Sequence, residues 1–73
     1  MAANLLRAAE LTVVPNDELL KMYDLLRPQR ASYDTLRALA ERLETLYGAV
    51  ETARFVREAA DVYRDRGLLK REV

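Results

Sequence analysis

Apolar side chains recur along this chain at three- and four-residue steps, at Leu19, Met22, Tyr23 and Leu26 and again at Leu36, Leu39, Ala40, Leu43, Leu46 and Tyr47. A side chain returns to the same face of an α-helix about every 3.6 residues, so each series forms one stripe and predicts an amphipathic helix. From Ala49 onward the pattern continues, with Ala53, Phe55, Val56, Ala59, Ala60, Val62 and Tyr63 on one side and Glu51, Arg54, Arg57, Glu58, Asp61, Arg64 and Asp65 opposite. Alternation at the period of a strand is absent, as are repeats and low-complexity tracts. The chain is therefore expected to be one all-α domain over 1–73, with short antiparallel connections.

Turn and cap residues divide the pattern. Ala and Leu dominate residues 2–11 and favour helix, whereas Thr12, Val13 and Val14 are β-branched and precede Pro15, so a short first helix is expected over about 2–11. Asn16 is a suitable N-cap, and Asp17 and Glu18 place negative charge on the first turn of a second helix over about 17–26. Pro28 stops that helix, and Ser32 offers a hydroxyl to cap a third over 33–47, which Gly48 closes. A fourth, over 49–66, ends at Gly67. The expected fold is a small bundle of three main helices preceded by a short one.

A chain of 73 residues buries only about 60% of the surface it exposes when unfolded. Small domains usually compensate with disulfides, metal ions or association, and a sequence without cysteine or histidine is left with association. Twelve basic and twelve acidic residues cancel, so no net field draws the chain to nucleic acid or an anionic membrane. The apolar runs are pairs and triplets, far below the ~20 residues that span a bilayer. With no basic-then-apolar leader pattern, a cytoplasmic protein is expected.

Without histidine and cysteine the usual general base, thiol nucleophile and nitrogen or sulfur metal ligands are missing. Asp61 with Asp65 and Glu41 with Glu44 are the carboxylate pairs that could hold a hard cation or share a proton. Against that, Glu51 with Arg54, Arg54 with Glu58, Arg57 with Asp61 and Asp34 with Arg37 stand at spacings that meet on a helix surface, the pattern of a solvated face. No catalytic, cofactor-binding or metal-binding residue is assigned. Helices two and three, joined through Arg27 and Arg30, could be taken for a DNA-reading pair, but Glu41 and Glu44 beside Arg37 and Arg42 would repel phosphates.

The apolar arc on the fourth helix spans about half the circumference, more than the ~100° that packing on one core requires. Leu20 and Leu25 project outside the stripe of the second helix. These surplus positions suggest a docking face, with Leu20, Leu25, Phe55 and Val62 supplying apolar area and Arg27 and Arg30 directional bonds to carboxylates or carbonyls.

Three segments carry a resemblance as an ordered series: Val14-Pro15-Asn16-Asp17-Glu18-Leu19-Leu20, then Leu26-Arg27-Pro28-Gln29-Arg30, then Phe55-Val56-Arg57-Glu58-Ala59-Ala60-Asp61-Val62-Tyr63. Together they resemble the carboxy-terminal half of the small subunit of adenosylcobalamin-dependent diol and glycerol dehydratases, over a span from about Leu6 to Arg71. The resemblance implies a non-catalytic subunit that packs against large and medium subunits. In such an assembly adenosylcobalamin lies between those two subunits, and 1,2-propanediol or glycerol is converted to an aldehyde. The family's small subunits carry an additional N-terminal half, which helps embrace the large subunit and in some members directs encapsulation in a microcompartment; neither property is carried over here. The alternatives are a free-standing helical module that self-associates and, more remotely, a DNA-binding regulator.

Overall fold

The computed structural model describes residues 8–71, and among them every regular element is helical: α1 (Ala8–Val13), α2 (Asn16–Leu25), α3 (Tyr33–Tyr47) and α4 (Val50–Arg66). The three main helices stand within a residue of their sequence-based bounds. The expected first helix falls partly on residues 1–7, outside the described residues. Its end is a correction, because the helix runs on through Thr12 and Val13 instead of stopping near Leu11. The Val14 amide donates to the Glu10 carbonyl and the Val14 side chain is buried. Helix propensity costs a β-branched residue only a few tenths of a kcal/mol, on the order of what one buried valine recovers several times over.

Asn16 is the second correction. It is the first helical residue of α2, while Pro15, extended at φ −58° and ψ 150°, takes the cap position with no side-chain bond to the helix. Proline's fixed φ suits that junction without needing a cap. Ser32 caps α3 as expected, accepting from the Thr35 amide at 3.2 Å. Gly48 and Gly67 end α3 and α4 in left-handed conformations, at φ 64° and 69°, where a residue with a Cβ would be strained.

The two-residue link Gly48-Ala49 folds α3 and α4 into an antiparallel hairpin. The pairing is read from side chains that meet in reverse order: Glu44 holds Arg57 at 2.8 Å, and at the far end Arg64 covers the Tyr33 ring at 4.4 Å. Leu36, Leu39, Ala40 and Leu43 of α3 close on Ala53, Val56 and Ala60 of α4. The alanines let the backbones approach, and each fully buried leucine or valine contributes ~1.5–3 kcal/mol. Met22 brings α2 into this core. Three members of the expected stripes are exposed outside it: Tyr23 at 51%, Leu46 at 58% and Val62 at 45%. Each stands at the margin of a stripe broader than the neighbouring helices cover.

Candidate functional site

Of the six positions expected to form a docking face, Leu20 is the most open, 63% exposed on the outer side of α2. Leu25, on the same helix, is partly buried against the core and lines a groove between α2 and α3 with Lys21, Thr35, Ala38, Leu39 and Arg42. On α4, Val62 is 45% exposed, whereas Phe55 is half-buried and packs on the core. Phe55, Ala59 and Val62 form an apolar depression with Glu58 and Tyr63 at its margin. Spaced three and four residues apart, they lie on one outward stripe of α4, beside the inward stripe that holds Ala53, Val56 and Ala60.

Arg27 and Arg30 converge on one carboxylate, with Asp24 Oδ1 3.9 Å from Arg27 and 3.0 Å from Arg30. All three are substantially exposed, so the trio is a surface feature whose guanidinium groups retain unused donors. Between the two arginines Gln29 adopts φ 63°, the single non-glycine residue with positive φ among those described. The tail after α4 crosses this turn: the Gln29 amide donates to the Leu68 carbonyl at 2.6 Å and the Lys70 amide to the Ala31 carbonyl at 2.8 Å.

Several contacts that fix these positions lie beyond sequence reasoning. Ala49 has no side-chain oxygen with which to cap α4, and α1 supplies one. The Glu10 carboxylate accepts from the amides of Glu51 and Thr52 at 3.0 and 2.9 Å and from the Thr52 hydroxyl at 3.2 Å. It thereby places negative charge at the positive end of the helix. The Tyr63 hydroxyl donates to the Leu26 carbonyl, tying the end of α2 to α4. The Tyr33 hydroxyl donates to Asp61 at 2.8 Å, and Arg57 pairs with Glu44 on the facing helix and not with the expected Asp61. Glu51 and Arg54 do pair, at 3.7 Å.

Glu18 joins α2 to α3 by accepting from Arg42 Nε at 3.0 Å and Nη2 at 2.9 Å. The hydrogen bond from Arg42 holds the Glu18 carboxyl below its ordinary value of 4.5, against the opposing effect of burial. A carboxyl lowered by folding stabilises the fold fully above its unfolded value, and that contribution is lost as pH falls through the folded one. The stability difference between the natural chain and Arg42→Gln is therefore expected to be largest above about pH 5 and to shrink as pH falls further. Urea unfolding at neutral and acidic pH checks this, and a difference that stays constant across the range would contradict it.

Of the four carboxylates that could have carried chemistry, one of each pair is engaged within the chain. Asp61 meets Tyr33 and Arg64, and Glu44 meets Arg57. Among the described residues no three acidic side chains gather as a metal site, and no helix is long and apolar enough to cross a membrane. Among the described residues the exposed groups singled out from the sequence are Leu20 and Val62, with Arg27 and Arg30 around Asp24.

The sequence model of the family described as "Dehydratase small subunit" matches residues 1–70. The chain is 51% identical over 70 residues to a propanediol dehydratase small subunit of Citrobacter freundii and 50% identical over the same length to one of Salmonella typhimurium strain LT2. Each match takes in 96% of this chain but 41% and 40% of the relatives, so the chain spans about two-fifths of their length. Identity at half of the aligned positions over 96% of the chain, with the family match over residues 1–70, places this chain in the dehydratase small-subunit family.

Proposed function

We propose that the chain is a non-catalytic small subunit, or small-subunit-like protein, that supports a cobalamin-dependent dehydratase acting on 1,2-propanediol or glycerol in the cytoplasm. The observation that carries this reading is the half-identity to two propanediol dehydratase small subunits across 96% of the chain. A sequence without histidine or cysteine fits a supporting part better than a catalytic one. Adenosylcobalamin and substrate belong, on this reading, to large and medium subunits. The outward Leu20 and the Phe55, Ala59 and Val62 depression are the surfaces offered to them, with Arg27 and Arg30 supplying directional bonds. The face of α3 also speaks against a DNA reader, since Arg42 is held by Glu18 and Arg37 lies 5.8 Å from the Tyr33 ring.

Co-expression with the encoded large and medium subunits, followed by affinity capture of the large one, tests the proposal. The natural chain is expected to co-purify. Burying one such apolar side chain is worth ~1.5–3 kcal/mol, so Val62→Asp or Leu20→Asp is expected to weaken capture tenfold or more. Thermal unfolding of the isolated variants should change little, because both side chains are exposed. Phe55→Ala is expected to lower both capture and stability, in keeping with its half-buried position. An active complex that forms cleanly without this chain would overturn the subunit reading, and sedimentation of the chain alone as a stable oligomer would favour the self-associating module.

A further inference from the structure

The chain as a whole is neutral, but its charge is unevenly placed. Residues 24–31 and 64–71, which meet where the tail crosses the α2–α3 link, contain six basic residues and two acidic ones. A notch at that crossing is lined by Gln29, Gly67, Lys70 and Arg71, with no carboxylate among the described residues of its wall. Lys70 and Arg71 are exposed, and neither they nor Arg66 have an ion-pair partner among the described residues. The neighbouring Arg27 and Arg30 share the single carboxylate of Asp24.

The notch is also held in shape. Its two backbone corners, Gln29 and Gly67, are both left-handed, and for the glutamine that conformation costs on the order of 1–2 kcal/mol. The bonds from Gln29 to Leu68 and from Lys70 to Ala31 fasten the two segments together, while buried Ala31 and partly buried Leu69 anchor them to the core. A non-glycine residue kept in a costly conformation by surrounding bonds is a feature that marks binding sites more often than ordinary turns. Basic side chains on a fixed frame suit a ligand with successive negative groups, and a fixed frame lowers the ordering cost of binding.

We infer that this notch docks an acidic segment, with at least two neighbouring carboxylates, of a protein to which the chain binds. The inference rests on the subunit reading above and specifies the chemistry of one contact within it. Lys70 and Arg71 supply the charge, the Gln29 side-chain amide and the Gly67 turn set the approach, and Arg27 and Arg30 extend the positive field. Phosphate groups of nucleic acid are the competing class, which the test separates.

The experiment titrates the purified chain against a fluorescein-labelled hexaglutamate peptide and, separately, a labelled DNA duplex. Both titrations are made at about 20 mM and about 300 mM salt, which bracket strong and weak screening. Saturable peptide binding is expected at low salt, weakened tenfold or more by Lys70→Glu with Arg71→Glu and unaltered by Lys21→Glu on α2. Circular dichroism should show the double variant folded, since both side chains are exposed. Absence of binding, equal loss with Lys21→Glu, or tighter binding of DNA than of peptide would overturn the inference. The double variant is then taken into the co-expression capture. If the natural chain is captured and the double variant is captured equally well, the notch proposal fails and the subunit reading survives. If the natural chain is never captured but binds the peptide through Lys70 and Arg71, the subunit reading fails and the carboxylate site stands.

Discussion

Replacing Leu43 with alanine is expected to remove ~3 kcal/mol of stability, within the range of 2–5 kcal/mol for leucine truncations in protein cores. Leu43 is fully buried on α3 in the cluster shared with α4. Its loss removes burial and leaves a void that the close-packed alanines cannot fill. For a domain of this size the whole unfolding free energy is roughly 4–11 kcal/mol, so this one change is a large fraction of it. The midpoint of thermal unfolding, followed by circular dichroism, should fall by more than about 10 °C. Leu46→Ala supplies the internal comparison, being one turn further along the same helix and 58% exposed. Its effect is expected to stay within about 0.5 kcal/mol. Equal losses for the two variants would mean that the assignment of core and surface on α3 is wrong.

The second large effect is expected at Glu10. Glu10→Ala deprives the Glu51 amide, the Thr52 amide and the Thr52 hydroxyl of their shared acceptor, and Thr52 is fully buried. Hydrogen bonds to a charged group contribute ~1.5–3 kcal/mol, and loss of an ordinary cap costs ~1 kcal/mol, so a loss of ~2 kcal/mol is expected. Glu10→Gln keeps an acceptor oxygen without the charge and should fall between the natural chain and the alanine variant. Chemical denaturation of all three proteins gives the ranking. A Glu10→Ala variant within about 0.5 kcal/mol of the natural chain would show that water replaces the carboxylate at no cost.

What the sequence made legible is local, and what it hid is long-range. The bounds of α3 and α4 followed from Ser32, Gly48 and Gly67, because cap and stop signals act within a turn of the residues they control. The same reasoning could not find the cap of α4, since Glu10 lies 41 residues from the amide of Glu51 that it receives. A hint existed in Ala49, which left a helix start without an oxygen of its own. Arg57 and Asp61 have the spacing of a helix pair but were drawn apart, one by Glu44 on the facing helix and the other by the Tyr33 hydroxyl. Periodicity likewise located the apolar stripes without saying how much of each a neighbour would cover, which is why Tyr23 and Leu46 proved exposed. For the proposed docking face, the sequence singled out surplus apolar positions, and the structure distinguishes outward Leu20 and Val62 from Leu25 and Phe55, which pack on the core.

The division between a local hairpin and distant fasteners carries a consequence for the order in which the chain assembles. α3 and α4 are consecutive and joined by two residues, so closing their contacts costs little chain entropy. The Tyr63 bond to Leu26 and the Glu10 bond to Thr52 span 37 and 42 residues, and contacts of such separation form late and slow folding. The hairpin is thus expected to be the nucleus, with α1 settling last and opening first. Native-state amide exchange would register that hierarchy as stronger protection at Leu39, Leu43 and Val56 than at Val13 or Val14 at the end of α1. A chain still being synthesised would accordingly hold α1 without its Thr52 partner until α4 had emerged, whereas α2 could already meet Arg42 of α3, so α1 takes its final place only when nearly the whole described fold is present.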